Sequence, residues 1–90
     1  MDFKISLSLD KKLGEIKAKD KFLFQKVSKQ LLLFEKNHLH PSLRIHKLTG
    51  KFNNIWSMSV GRSHRMLFFL DDKGAYFFKI GTHNEVYKNN

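Results

Sequence analysis

The second half of this 90-residue chain holds His46, His64, His83, Arg62, Arg65, Lys79 and Tyr87, side chains suited to moving protons and holding phosphate. Together they fit metal-free acid–base chemistry on RNA. A base takes the proton of a ribose 2′-OH, the oxygen attacks the adjacent phosphorus, a cation meets the charge on the phosphate oxygens, and an acid protonates the departing 5′-oxygen. Histidine titrates in the right range, and the arginine fork matches phosphate with two parallel hydrogen bonds. Plainer roles exist for each residue. A strand arginine is commonly a solvated charge, His83 after Gly81-Thr82 can hold a turn by hydrogen bonding, Tyr87 can simply pack, and Trp56 reads as core. From types and spacing alone, nucleic-acid binding without chemistry ranks above cleavage.

Other chemistries lack support. There is no Cys, which excludes a disulfide framework, a thiol nucleophile and sulfur-ligated zinc. His38-x-His40 puts two imidazoles on one side of an extended segment, but no His-x-x-x-His or nearby acid completes a metal set. No metal and no cofactor is expected. Glycine-rich phosphate loops and a nucleophile elbow are both missing.

The elements that must position these residues are read from charge and periodicity. Lys and Arg number 17 against 8 Asp and Glu, a formal charge of +9, which favours a polyanionic partner. No acid lies between Glu35 and Asp71, whereas Lys36, Arg44, Lys47, Lys51, Arg62 and Arg65 all do. The hydrophobic share of 41%, with nine Phe, supports a small core, and the length suits one domain over residues 1–90. No apolar run approaches a membrane span and the N-terminus does not resemble a signal peptide, so a cytoplasmic protein without membrane contact is expected.

Alternation of Phe3, Ile5, Leu7 and Leu9 predicts a strand, followed by Asp10 as a cap and one or two helical turns through Leu13 and Ile16, with Gly14 unfavourable to them. Asp20 is a second N-cap, and Phe24, Val27, Leu31 and Phe34 predict a four-turn amphipathic helix ending near Asn37. His38 to Lys51 reads as an irregular connection. Strands follow around Trp56–Val60, Arg65–Leu70 and Ala75–Ile80, with turns at Gly61-Arg62-Ser63 and Asp71-Asp72-Lys73-Gly74, a break at Gly81-Thr82 and a short tail. Met66, Phe68 and Leu70 are expected on the same face as Tyr76, Phe78 and Ile80, with Arg65 and Lys79 opposite. The class is α+β: an N-terminal strand and two helices packed on a twisted, mainly antiparallel four-stranded sheet.

Four segments carry a resemblance: Leu43-Arg44-Ile45-His46-Lys47-Leu48-Thr49-Gly50, Trp56-Ser57-Met58-Ser59-Val60, Arg65-Met66-Leu67-Phe68-Phe69, and Ile80-Gly81-Thr82-His83-Asn84-Glu85-Val86-Tyr87. In this order and at these distances the chain resembles, over essentially its whole length, the RelE/ParE superfamily of toxins from bacterial type II toxin–antitoxin pairs. The nearest look is to the YafQ-like and RelE-like messenger-RNA interferases. The resemblance implies the RelE-like fold and metal-independent cleavage of messenger RNA in the A site of the small ribosomal subunit. It also implies a cognate antitoxin that covers the basic surface, with the toxin alone a monomer and the complex larger.

Position by position, the resemblance implies catalytic roles for His83, Arg65, Lys79, Tyr87 and His46. Arg62, His64, Lys47, Lys51 and Arg44 are expected to meet the substrate. Ser59 and Ser63 stand where YafQ-like enzymes carry His and Asp, and His64 where they carry Trp. Two alternatives follow: a ParE-like gyrase poison without nuclease activity, and a catalytically decayed relative that still binds an antitoxin.

Overall fold

The computed structural model describes residues 1–48 and 54–87. Strand β1 spans Phe3–Ile5 and gives way directly to helix α1, Leu7–Lys19. The predicted strand stops short because Ser6 ends it: the Ser6 hydroxyl accepts the Leu9 amide at 3.1 Å and caps the helix. The alternation through Leu7 and Leu9 is therefore misleading. Leu7 is 90% exposed, whereas Leu9 and Leu13, one turn apart, are buried in the core. Asp10 sits in the first turn, not at the cap. Gly14 faces open space, so its cost is only the ordinary helix penalty and α1 runs past it.

Asp20 caps helix α2, Lys21–Lys36, by accepting the Leu23 amide at 3.1 Å, and Asn37 closes it, as the sequence predicts. The face of α2 bearing Leu23, Val27, Leu31 and Phe34 is buried. Phe34 meets the rings of Phe68 and Phe77 edge-on at 5.4 and 5.3 Å, with Phe3 at 6.3 Å. A 3₁₀ turn at Pro41–Leu43 begins on proline, which lacks the amide that such a start leaves unpaired.

Among the described residues the sheet has five strands, one more than the sequence predicts: β2 at His46–Lys47, β3 at Ile55–Val60, β4 at His64–Asp71 and β5 at Gly74–Thr82, in the order β1-β5-β4-β3-β2. The extra strand, β2, is two residues long and pairs antiparallel with β3. It lies in the segment read as irregular because two residues are too few to show a period. Pairing is antiparallel throughout except for β1, which runs parallel to β5, with Phe3 opposite Ala75 and Ile5 opposite Phe77. Gly74 permits this junction: its φ is +130°, and a Cβ there would lie 2.3 Å from the Asp2 carbonyl oxygen.

The face assignment in β5 differs from expectation for a definite reason. Leu67 pairs with Lys79 but Phe68 pairs with Phe77, so Phe78 is a bulge that shifts the alternation by one. Met66, Phe68, Ala75, Phe77 and Ile80 face the helices, while Tyr76 and Phe78 lie on the other face against Phe69, at 5.0 and 5.8 Å. The strand also continues through Gly81 and Thr82, opposite Arg65 and His64, where a break was expected. The tail then forms a short helix α3, His83–Tyr87.

Candidate active site

The face of the sheet turned away from α1 and α2 carries the row His46, Ser57, Leu67 and Lys79 across β2, β3, β4 and β5, and beside it Ser59, Arg65 and Gly81. Helix α3 folds back over this face. Thr82 and Glu85 form a reciprocal cap, T-x-x-E in sequence: the Glu85 carboxylate accepts the Thr82 amide at 2.7 Å, and the Thr82 hydroxyl accepts the Glu85 amide at 3.3 Å. Hydrogen bonding to the carboxylate, by the Thr82 amide first and the Thr82 hydroxyl second, holds the Glu85 carboxyl below its usual range. The turn read as a possible task for His83 is thus made by its neighbours. Gly81 admits the helix, since a Cβ there would meet Glu85 Cβ at 2.9 Å.

His83 and Tyr87, four residues apart, share one side of α3, with ring centroids 4.4 Å apart in an edge-on arrangement. The Tyr87 hydroxyl donates to Ser57 Oγ at 2.8 Å. Arg65 Nε donates to the same oxygen, and Arg65 Nη2 donates to the Arg44 carbonyl at 2.8 Å. That carbonyl is aimed by the left-handed backbone of Arg44, φ 45°. Of the five guanidinium N–H groups, two are thereby engaged and three remain. The fork is fixed along one side and open along the other, which is the condition for two-point contact with an anion.

A cavity of about 690 Å³ opens beside this cluster, where Arg65, Arg44 and His83 meet Lys26, Arg62 and His64. No Asp or Glu lines it. Gln30, buried on α2, donates to the carbonyls of Ser59 at 2.9 Å and Ser42 at 3.3 Å and so fastens the helix to the cavity wall. The Ser59 hydroxyl is turned into the hairpin, donating to the Gly61 carbonyl at 2.7 Å, and Ser63 bonds His64 Nδ1 at 2.7 Å.

The structure thus gathers Arg65, Tyr87, His83 and the backbone of Arg44, with Arg62 and His64 on the adjoining cavity. His46 is exposed on β2 opposite Ser57, and Lys47 is exposed opposite Trp56. Lys79 shares the row of Ser57 but also lines a different cavity, with Lys12, Glu15 and Glu85, and no hydrogen bond among the described residues joins it to Arg65. Lys51 lies outside the described residues. Sequence reasoning missed Ser57, because a Ser alternating with apolar residues in a strand reads as solvent-facing. Among the described residues no helix is long and apolar enough to cross a membrane, and no three His, Asp or Glu side chains gather as a metal set.

No protein-family model matches the sequence, and no curated protein matches it significantly. Solved structures do. The Escherichia coli DinJ–YafQ toxin–antitoxin complex matches at 26% identity and a TM-score of 0.68, over 96% of each chain. The YoeB/ParE toxin from Agrobacterium tumefaciens matches at 15% identity and a TM-score of 0.75, over 92% of this chain and 99% of that one. The Staphylococcus aureus YoeB–YefM complex matches at 17% identity and a TM-score of 0.74, over 92% of this chain and 97% of that one. The resemblance first read in four short segments therefore extends to the whole architecture, and the chain has the RelE-like fold of the RelE/ParE toxin superfamily, with YafQ among its near neighbours.

Proposed function

We propose that this protein is the toxin of a type II toxin–antitoxin pair and cleaves messenger RNA in the ribosomal A site, as a single-domain endoribonuclease of residues 1–90 acting in the cytoplasm. The observation that carries the reading is the half-engaged Arg65 guanidinium, held by Ser57 and Arg44 and flanked by Tyr87 and His83. In this mechanism the open edge of Arg65 binds the non-bridging oxygens of the scissile phosphate. His83 and Tyr87 handle the two proton transfers, from the 2′-OH and to the 5′-oxygen, with His46 and Lys79 as supporting groups on the same face. The acid-free cavity with Lys26, Arg44, Arg62 and His64 suits further phosphates of message or ribosomal RNA, with Lys47 and Lys51 extending the basic surface. The partner that restrains the toxin is an antitoxin with an acidic segment, on grounds of charge.

The test is a purified translation system with a defined message, new 5′ ends being mapped by primer extension. Ribosome-dependent cuts by the wild type that vanish with His83→Ala support the assignment. Full cleavage by His83→Ala removes His83 from the mechanism. No cuts by folded wild-type protein turn the reading toward an antitoxin binder without catalysis, for which the local engagement of Ser59 and Ser63, in place of His and Asp, is the motivating observation.

A further inference from the structure

Ser57 has no solvent exposure, although it sits in the row between the exposed His46 on β2 and the apolar Leu67 on β4, itself 4% exposed. A buried hydroxyl is costly unless hydrogen-bonded. Here both acceptor positions of Oγ are filled, one by Arg65 Nε and one by the Tyr87 hydroxyl. The two donors come from different elements, β4 and α3, and meet nowhere else among the described hydrogen bonds.

We propose that Ser57 is the positioning residue that sets Arg65 and Tyr87 as one pair; its purpose, though not its geometry, rests on the endoribonuclease reading. Two fixed points define the plane of the guanidinium, Ser57 at Nε and the Arg44 carbonyl at Nη2. Removing the Ser57 oxygen leaves one point, about which the fork can turn, and leaves the Tyr87 hydroxyl without its partner. With both acceptor positions taken, the hydrogen of Ser57 is its remaining donor. When Tyr87 gives up its proton, that O–H can turn and donate to the phenolate oxygen. One hydroxyl thus serves Tyr87 in both states and keeps the Arg65 charge one atom away from it.

The test uses a pair of variants with the same shape, Ser57→Thr and Ser57→Val, which differ only in the hydroxyl. In nitrogen-labelled protein the Arg65 Nε–H signal, identified by its loss in Arg65→Lys, is followed by hydrogen exchange. The expected result is slow exchange in the wild type and Ser57→Thr, and exchange roughly tenfold faster or more in Ser57→Val, as one hydrogen bond to a charged group is lost. In the ribosome assay kcat falls on the order of 10- to 100-fold in Ser57→Val with KM nearly unchanged, and Ser57→Thr restores it. Equal exchange and equal kcat in the two variants overturn the proposal. An exchange difference without cleavage by the wild type leaves the clamp standing and removes the endoribonuclease reading instead. If the added methyl groups prevent folding, Ser57→Ala, which adds no volume, makes the same comparison against wild type.

Discussion

In the proposed mechanism Arg65 depends on being held on one side only. A lysine at this position keeps the charge but cannot engage Ser57 and the Arg44 carbonyl while presenting a second pair of donors. Arg65→Lys is therefore expected to lower ribosome-dependent cleavage on the order of 100-fold while leaving thermal stability close to wild type, measured by primer extension and a melting curve. A variant as active as wild type removes the two-point contact from the mechanism. Arg65, His83 and Tyr87 stood out as candidates in the sequence because their types suit phosphate and proton chemistry and they fall in the Arg65–Phe69 and Ile80–Tyr87 segments that carry the resemblance; the structure brings the three together. Ser57 was not, since its burial depends on α3 returning over a face that alternation alone marks as open. The engagement of the Arg44 backbone was equally hidden, because a carbonyl has no residue type.

Among the α-helices of the described residues α3 is the shortest, and it carries two of the proposed catalytic groups, so its cap matters more than its length. The Glu85 carboxyl is held below its usual value by the Thr82 amide and hydroxyl. The cap's contribution is accordingly complete above the ordinary carboxylate range and is lost as pH falls through the lowered folded value. The protection of the amides over residues 83–87, observed exchange measured against the intrinsic rate, is expected to fall on acidification through that window. Glu85→Gln keeps an acceptor but no titration, so its exchange should track only the intrinsic pH dependence; identical profiles for the two proteins contradict the cap. Gly81→Ala is expected to displace α3 and lower cleavage, because its Cβ would meet Glu85 and Val86 side chains. Helix α2 was legible, since Asp20 as N-cap, an end near Asn37 and a clear period all agree with the structure. The start of α1 was not, because Ser6 overrides an alternation that continues past it. The bulge at Phe78 was out of reach, as an inserted residue leaves no mark in composition.

Over the whole molecule, the charge of +9 and the ring cluster around Phe34 set the remaining expectations. Phe34→Ala removes the ring that joins α2 to β4 and β5 and is expected to cost about 3–5 kcal/mol of stability, read from urea unfolding; a change under about 1 kcal/mol places the core elsewhere. Binding to RNA is expected to weaken steeply with salt. Lys26→Gln and Arg62→Gln, on the acid-free cavity, should each reduce the slope of log K against log salt by roughly 0.7 if each meets one phosphate of a single strand. Unchanged slopes take that cavity out of the RNA path. The sheet's parallel edge has a consequence of another kind. Phe3 pairs with Ala75, a separation in sequence of 75 − 3 = 72 positions, and Phe34 waits for Phe68 and Phe77. A chain emerging from the ribosome N-terminus first thus exposes α1 and α2 with only each other to pack on, and strand β1 has no neighbour until the β4–β5 hairpin has been synthesised. The closing loop is long and its entropy is unpaid until then. Folding is therefore a late event in the synthesis of these residues, and the proposed active site stays incomplete until α3, which follows that hairpin, brings His83 and Tyr87 to the waiting Ser57 and Arg65.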